Sequence, residues 1–528
     1  MKKENLHNRT AALILSFGLA LSQLPAFAAV TGDGTNVPQT DDLDRLLAAK
    51  TAQTTSAPIV AEIAPMPASP GVEIRATKEE NPSVLSGHIT SNVENLSKGI
   101  LQDEVKLQRF NLQFRVNAAK QGRWKGWRFF VAQNGGLAAA AAGDTVYVSD
   151  GFDHIHADEH DKRNLHHLIG GQSKNLRANG GLLPSAVGGM VQAAGSLTEF
   201  GINEYHSAQA RKNGYGFAQS RDTALKLVAD IDKKLAERER LIKEQPADNK
   251  ETAEMQELEG KVLADFRDMG IAEFERYHVG ARKTLAQQNS FYLLDAFIKN
   301  GTGVTANMVG MHDILRKGHP GQDITVGVLS IISGLFIVLD PILSRSYGKM
   351  VEHHAKASLE KHGLPTIWEK NVPLEADYGR LQSFCQNHQV KDRPELAALV
   401  GRLDAYDANH KFMTDELQRN ARAIRRGNRT AIQNMGMATI IGVSKIAGPG
   451  IMCTIAGAKE LRNNDQRFVL FSTGGLIYLP SLYLGVMDNC RIQIGNEIRR
   501  SKQAKAGTLP GQIIRDRMIQ LNSIEKKI

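Results

Sequence analysis

Two long runs of apolar residues without a charge constrain this chain most. Residues 324–339 read ITVGVLSIISGLFIVL, and residues 468–487 read FVLFSTGGLIYLPSLYLGVM. An α-helix rises ~1.5 Å per residue, so about twenty residues cross the ~30 Å hydrocarbon core of a bilayer. Both runs therefore predict membrane-spanning helices. Weaker candidates lie at residues 126–143, 181–197, 290–310 and 437–458.

The six segments form three pairs that resemble copies of one unit. Lys299 and Lys445 lie 146 positions apart, and Gln133 lies 312 positions before Lys445. A Leu-Arg dipeptide separates the two members of every pair, ending at Arg177, Arg316 and Arg462. Since Arg316 and Arg462 are also 146 positions apart, the offsets predict three repeats of a hydrophobic helical hairpin, each followed by an amphipathic helix.

The chain shows no sustained alternation of apolar and polar residues, the pattern typical of strands. Between residues 221 and 270, two apolar stripes at helical spacing flank Pro246, which predicts two antiparallel helices. The predicted fold is an all-α, polytopic helical membrane protein with three repeats of a hydrophobic helical hairpin plus long amphipathic or coiled helices.

The N-terminus has a basic stretch, an apolar stretch and an Ala-Phe-Ala triplet ending at Ala28. This order predicts a signal peptide over residues 1–28 and export to a bacterial envelope, with the protein in the inner membrane. The following residues, 29–95, are rich in Pro, Ala and Thr, and predict a disordered linker.

The remaining predicted units follow one another along the chain. They are repeat 1 (96–220) with a His-rich loop (149–175), a charged helical hairpin (221–270), repeat 2 (271–360), a helical connector (361–410), repeat 3 (411–505) and a C-terminal amphipathic tail (506–528).

The number of membrane crossings stays open between five and six. Six crossings after an exported N-terminus place basic stretches such as RWKGWR at Trp124 outside, against the usual cytoplasmic bias of Lys and Arg. Residues 126–143 begin with aromatic and basic residues suited to a helix lying on the membrane surface. That arrangement leaves five crossings and is the one we expect.

Six charged residues lie in or at the ends of apolar segments: Lys299, Lys445, Asp295, Glu199, Asp340 and Asp488. A charge at the centre of a bilayer costs at least ~2.5 kcal/mol, so such residues are usually paired or face water. One hypothesis is that the two lysines meet acids on neighbouring segments and line a polar path. The alternative is that the acids lie at the interface and the lysines extend toward it.

The stretch from Asp153 to His167 holds five of the sixteen histidines and contains the H-x-x-E-H pattern at His156–His160. His154, His156 and His160 are candidate ligands for zinc or nickel, and a solvated polar loop is the alternative. The pattern alone does not predict a peptidase, because no further enzyme motif accompanies it. We expect no catalytic activity and no resident cofactor.

These features predict a non-enzymatic membrane protein, either a scaffold or a transporter-like body. A membrane protein that binds or senses metal through the His-rich loop is one alternative. A secreted helical protein that inserts its hairpins into a target membrane is another. The expected partners are the lipid bilayer and further copies of the chain, associating through the hairpins; nucleic acid is not expected.

Overall fold

The computed structural model describes residues 82–118, 124–156, 173–244, 247, 249–315, 319–364, 374–388, 397–461 and 464–527. Within these ranges the chain is almost entirely helical (95%) and has no strand, which confirms the all-α prediction. The predicted signal peptide and most of the predicted linker lie outside the described residues. Helix already begins at Pro82, so the last part of the predicted linker, residues 82–95, is helical.

The described residues form twelve α-helices. They are α1 (Pro82–Ala118), α2 (Trp124–His156), α3 (Ser173–Lys212), α4 (Phe217–Glu244), α5 (Lys250–Leu293), α6 (Gly301–Leu315), α7 (Pro320–Lys361), α8 (Leu374–Asn387), α9 (Ala397–Lys445), α10 (Ile451–Ala458), α11 (Asn464–Lys505) and α12 (Pro510–Lys527).

Two π-helical turns join helices without breaking them. Leu294–Asn300 connects α5 to α6, and Ile446–Gly450 connects α9 to α10. The residues flanking both turns keep right-handed helical backbone angles, so α5–α6 and α9–α10 are each a continuous rod. Pro449 lies in the second turn, where the wider winding accommodates a residue that has no N–H to donate.

Six helical rods close into a ring, in the order α2, α3, α5–α6, α7, α9–α10 and α11, with α11 returning to α2. Paired glycines bring neighbouring rods close. A Cβ at Gly136 would overlap the carbonyl oxygen of Gly188 on α3. A Cβ at Gly334 would lie 2.8 Å from the carbonyl oxygen of Gly442 on α9. Small residues allow such close helix contact, which is common where helices pack in membranes.

The remaining helical segments form a second body at one end of the ring, which we call the headpiece. It comprises α1, α4, α8, α12 and the N-terminal halves of α5 and α9, packed around one hydrophobic core. The stripe positions Ile231 on α4 and Phe266 on α5 are buried in that core, together with Phe114 of α1. The opposite end of the ring, where the hairpins turn, is called the short-loop end.

Several predicted boundaries differ from the helices. The predicted charged hairpin ends at residue 270, but α5 continues from the headpiece into the ring without interruption. The predicted His-rich loop begins at residue 149, but α2 continues through His156 and α3 begins at Ser173.

Helix α2 does not have the isolated position expected of a helix lying on a surface. It packs along α3 and α11 as a full member of the ring. Gly136 and Ala132 lie against Gly188 and Gly195 of α3, and Leu137 and Val148 lie against Gly485 and Gly475 of α11. By length and apolar composition, three stretches of the described chain could cross a membrane: Pro320–Lys361, Arg425–Ala458 and Val469–Lys526.

Candidate functional site

The ring encloses a cavity of about 690 Å³ that is lined by residues from all six rods. Its wall combines apolar and aromatic side chains with amides, hydroxyls and charged groups. A cavity of this size with a few converging polar groups is the usual form of a small-molecule site. Four of the six charged residues singled out from the sequence line it, namely Lys299, Lys445, Asp340 and Asp488.

Lys445 lies in the middle layer of the cavity. Its Nζ donates a hydrogen bond to Ser333 Oγ on α7 (2.8 Å), and Ser333 donates to the carbonyl oxygen of Lys299 (2.7 Å). The Lys445 ammonium also lies 5.8 Å from the ring centre of Tyr478 on α11. Among the described residues no carboxylate lies within ion-pair distance of Lys445, and Asp144 of α2 attracts its charge from a greater distance across the cavity.

Lys299 is neutralised by Asp295, one turn earlier on the same rod (2.5 Å). Asp295 is fully buried and also accepts hydrogen bonds from Ser196 and Gln133 of the neighbouring hairpin and from Asn300. The acid that meets Lys299 therefore lies on its own rod, whereas the sequence hypothesis placed it on a neighbouring segment. Four donors satisfy this buried carboxylate, as the cost of burying a charge requires.

Asp144 on α2 is a cavity residue that the sequence analysis missed, because it directly follows the apolar segment that was taken to end at Gly143. Its carboxylate is hydrogen-bonded to Ser185 of α3, which also accepts a hydrogen bond from Asn307 of α6 (3.1 Å). Three rods thus meet at Asp144, one layer closer to the short-loop end than Lys445.

The three acids at the segment ends lie one on each of α3, α7 and α11. Glu199 is buried and paired with Arg128 of α2 (2.9 Å), so it does meet a neighbouring helix. Asp340 is buried and accepts a hydrogen bond from Ser344 (2.9 Å). Asp488 pairs with Arg491 on its own helix (2.6 Å).

An ion-pair network closes the cavity at the short-loop end. Arg467 of α11 contacts Asp313 of α6 (2.7 Å) and Asp323 of α7 (2.7 Å), and all three residues are buried. At the headpiece end the lining continues to Asn434, which is exposed. The cavity is therefore closed at one end and open at the other. No local sequence pattern indicates this network, because Asp313 and Asp323 lie 154 and 144 positions before Arg467.

The proposed metal ligands lie at the end of α2 and beyond it, outside the residues whose side chains the structure describes. His154 and His156 lie in the last turn of α2, but their side chains, like the whole of His160, are outside what the structure describes. Elsewhere in the described chain, no group of three His, Cys, Asp or Glu residues could hold a metal ion. Zinc or nickel binding stays a prediction.

No protein-family model matches the chain, and neither a curated protein nor a solved structure is significantly similar to it.

Proposed function

We propose that the ring is a membrane-embedded transport body that moves a small polar solute through its central cavity. The observation that carries this proposal is the polarity of the ring, which is charged inside and apolar outside. A water-soluble helical bundle has the opposite arrangement, with apolar stripes facing inward. The predicted export signal supports placing the ring in the bacterial inner membrane.

The outer face supports a lipid environment. Large apolar side chains are exposed on every rod of the ring, and Phe297 and Met487 are 64% and 65% exposed. Contiguous exposed apolar surface of this kind marks a membrane or partner contact. Each of the six rods contributes at least one such residue to this outer belt, for example Val131, Leu183, Phe297, Val328, Ile440 and Leu484 in ring order. Because the belt includes all six rods, the proposal is six crossings instead of the five expected from the sequence.

Matching positions support the threefold repeat as part of the proposal. Gln133 and Lys445, which the sequence offsets align with Lys299, both line the cavity. Gly136 and Gly448 are also 312 positions apart, and each is in close contact with a glycine of its own hairpin partner. A π-helical turn lies beside each aligned lysine. Three copies of one hairpin are a simple way to build a ring around a central cavity.

The two ends of the cavity support alternating access. A transport body must open to one side at a time, and its binding residues must lie between two closures. The open headpiece end and the Arg467 network at the short-loop end fit one such state. Transport then requires a second state in which Arg467 releases Asp313 or Asp323 while the headpiece end closes.

Cysteine labelling tests the proposal without knowledge of the solute. In a background with Cys385→Ser, Cys453→Ala and Cys490→Ser, Ala140→Cys places a thiol in the cavity, and Ala138→Cys places one on the exposed outer face of the same helix. Both proteins are reconstituted in vesicles, and molecules with the headpiece outside are selected through a C-terminal tag. A charged, membrane-impermeant thiosulfonate is then supplied outside or trapped inside.

We expect the thiol at position 140 to react from both sides and the thiol at position 138 to react from neither, because thiolates form in water and not in lipid. A static scaffold would allow labelling at position 140 from the headpiece side only. Equal labelling of both positions would contradict a membrane-embedded ring.

A further inference from the structure

A second cavity, of about 510 Å³, lies where the ring meets the headpiece. Its walls come from the end of α3, the start of α4, the middle of α5 and the end of α7. No residue lines both cavities, although Arg282 of this cavity is next in sequence to Lys283 of the central cavity. It is therefore a separate space.

Three arginines from three helices line this cavity: Arg211 of α3, Arg221 of α4 and Arg282 of α5. Arg221 is already engaged, since it pairs with Asp222 (2.8 Å) and its Nη1 lies 3.3 Å from Nδ1 of His362. Within the described part of the chain, neither Arg211 nor Arg282 has a carboxylate within ion-pair distance. Both arginines thus line the cavity without an ion-pair partner, Arg211 at an exposed position and Arg282 half-buried.

The position of Arg282 is fixed by packing, because its guanidinium lies 5.7 Å from the ring centre of Phe217. The one acid in the lining, Glu204, accepts a hydrogen bond from Asn289 (2.7 Å) at the ring side of the cavity. The cavity therefore has excess positive charge, which favours an anionic ligand.

His278 supplies an unused polar atom. Its side chain is 2% exposed, and its Nε2 lies 3.0 Å from the carbonyl oxygen of Phe217. Nδ1 is buried and has no hydrogen-bond partner. Burial, together with the charges of Arg282 and Arg221, lowers the pKa of His278 to about 4. The imidazole is therefore neutral near pH 7, with Nε2 donating to Phe217, and adds no positive charge to that of the arginines.

The cavity begins on α3 beyond the exposed aliphatic surface of the ring. The last exposed aliphatic residue of α3 is Leu197, the cavity begins at Glu204, seven residues later, and the neighbouring Tyr205 is also exposed. Seven residues span ~10 Å of helix, so the cavity begins near the outer edge of a headgroup layer that is about 5–8 Å thick on each side of the hydrocarbon core.

We propose that this cavity binds a phosphate group through Arg211 and Arg282. A guanidinium presents paired N–H donors that match phosphate oxygens, and it stays charged when partly buried. The phosphate can belong to an anionic phospholipid headgroup or to a free phosphate ion. The lipid source rests on the proposed membrane location, whereas the phosphate chemistry does not.

Equilibrium binding to the full chain in a maltoside detergent tests the site. The probes are phosphatidylglycerol, phosphatidylcholine and inorganic phosphate, and bound probe is counted by native mass spectrometry. The test variant is Arg211→Gln with Arg282→Gln, and the matched control is Arg240→Gln, an exposed arginine of α4 outside the cavity. Thermal midpoints without added probe establish that all three proteins are folded.

We expect one of the two anionic probes to bind the wild-type protein and the control equally, and to bind the double variant at least about tenfold more weakly. Phosphatidylglycerol binding identifies a lipid site, and inorganic phosphate binding identifies a site for a free ion. Binding of neither probe, or binding that the double variant leaves unchanged, overturns the proposal. Labelling at position 140 is independent of these arginines, so failure of the phosphate site and failure of transport are distinguishable.

Discussion

Glu259 and Arg402, 143 positions apart, form a buried ion pair at 2.7 Å in the centre of the headpiece. The same carboxylate accepts hydrogen bonds from Arg238 (3.3 Å), Tyr406 (2.9 Å) and Ser97 (3.1 Å). One side chain therefore joins α1, α4, α5 and α9. Two of these helices, α5 and α9, continue into the ring, so this contact also sets where those two rods begin.

Replacing Glu259 with Gln should destabilise the headpiece. The substitution keeps the shape but leaves two buried guanidinium groups without a counter-charge, and breaking a buried pair costs about 3–5 kcal/mol. The midpoint of thermal unfolding in detergent should fall clearly. Glu257→Gln is the matched control, because Glu257 is exposed on the same helix and pairs only with Lys261. An unchanged midpoint for Glu259→Gln would show that the carboxylate is not needed.

The wild-type headpiece should also lose stability in acid through Glu259. Burial alone would raise the pKa of this carboxyl, but Arg402 and Arg238 lower it below its ordinary value. A carboxyl with a depressed folded-state pKa contributes stability above its unfolded pKa of about 4.3, and that contribution is lost as the pH falls through the folded pKa. Unfolding midpoints measured from pH 6 down to pH 3 should fall less steeply for Glu259→Gln than for the wild type.

Asp265 should give the opposite pH dependence. Burial, followed by the nearby charges of Asp377 and Asp268, raises the pKa of Asp265 to about 7. Its unfolded pKa is about 3.9, so its contribution to stability is lost as the pH rises from about 4 through 7. Asp265→Asn should therefore stabilise the headpiece increasingly from pH 4 to pH 7, with a constant gain above. Asp230→Asn, at an exposed site on α4, should show no such trend.

Lys445 should set the charge preference of the central cavity. In the Ala140→Cys protein, Lys445→Met should lower the ratio of labelling by an anionic thiosulfonate to labelling by a cationic one. The reason is that Lys445 has no paired carboxylate among the described cavity residues and so acts on entering ions. Lys459→Met, at an exposed site after α10, is the control and should leave the ratio unchanged. The same ratio in both variants would rule out a role for Lys445.

Arg467→Gln should open the short-loop end. Without the guanidinium, Asp313 and Asp323 no longer hold α6 and α7 against α11. Labelling of the thiol at position 140 from the short-loop side should become several-fold faster. Arg491→Gln removes a comparable arginine–aspartate pair at the headpiece end of the same helix and should not have this effect. Slow labelling in both variants would mean that the network does not close the cavity.

A sixth rod makes the number of crossings even, so both ends of the described chain should lie on one side of the membrane. Lys361→Cys, at the exposed end of α7, should label from the same side as a C-terminal tag. Lys459→Cys, at the short-loop end, should label from the opposite side. Labelling of both positions from one side would refute six crossings.

The sequence was sufficient to predict the helices and to single out Lys299 and Lys445, because apolar length and isolated charges are local signals. It also aligned Gln133 with both lysines, and all three line the cavity. It missed the pairing of Lys299 with Asp295, although four residues apart on one helix is a local spacing, and it could not predict the contacts between rods. Asp295 collects donors from positions up to 162 residues away, and Arg467 joins aspartates more than 140 residues away. Such pairings depend on how the rods close into a ring, which no local pattern encodes.

The structure packs the whole of α2 into the ring, while its position relative to a membrane stays a prediction. The aromatic and basic residues at its start fit an interface, and the structure does place Trp127 at the headpiece end, where its Nε1 donates to Glu497. The rest of the helix packs in the ring, where its glycines contact α3. The sequence prediction applied the aromatic and basic character of the first turns to the whole segment.

The two π-helical turns have a mechanical consequence. Each continuous rod measures about 90–100 Å at ~1.5 Å per residue, and it anchors one end in the headpiece core and the other at the cavity wall. Such a rod acts as a lever with one wide turn where it can pivot. When a cavity end opens, either the pivot bends or the headpiece swings with the lever. Load applied to the headpiece, by a bound protein or by a tether, would therefore set the speed at which the ring changes state.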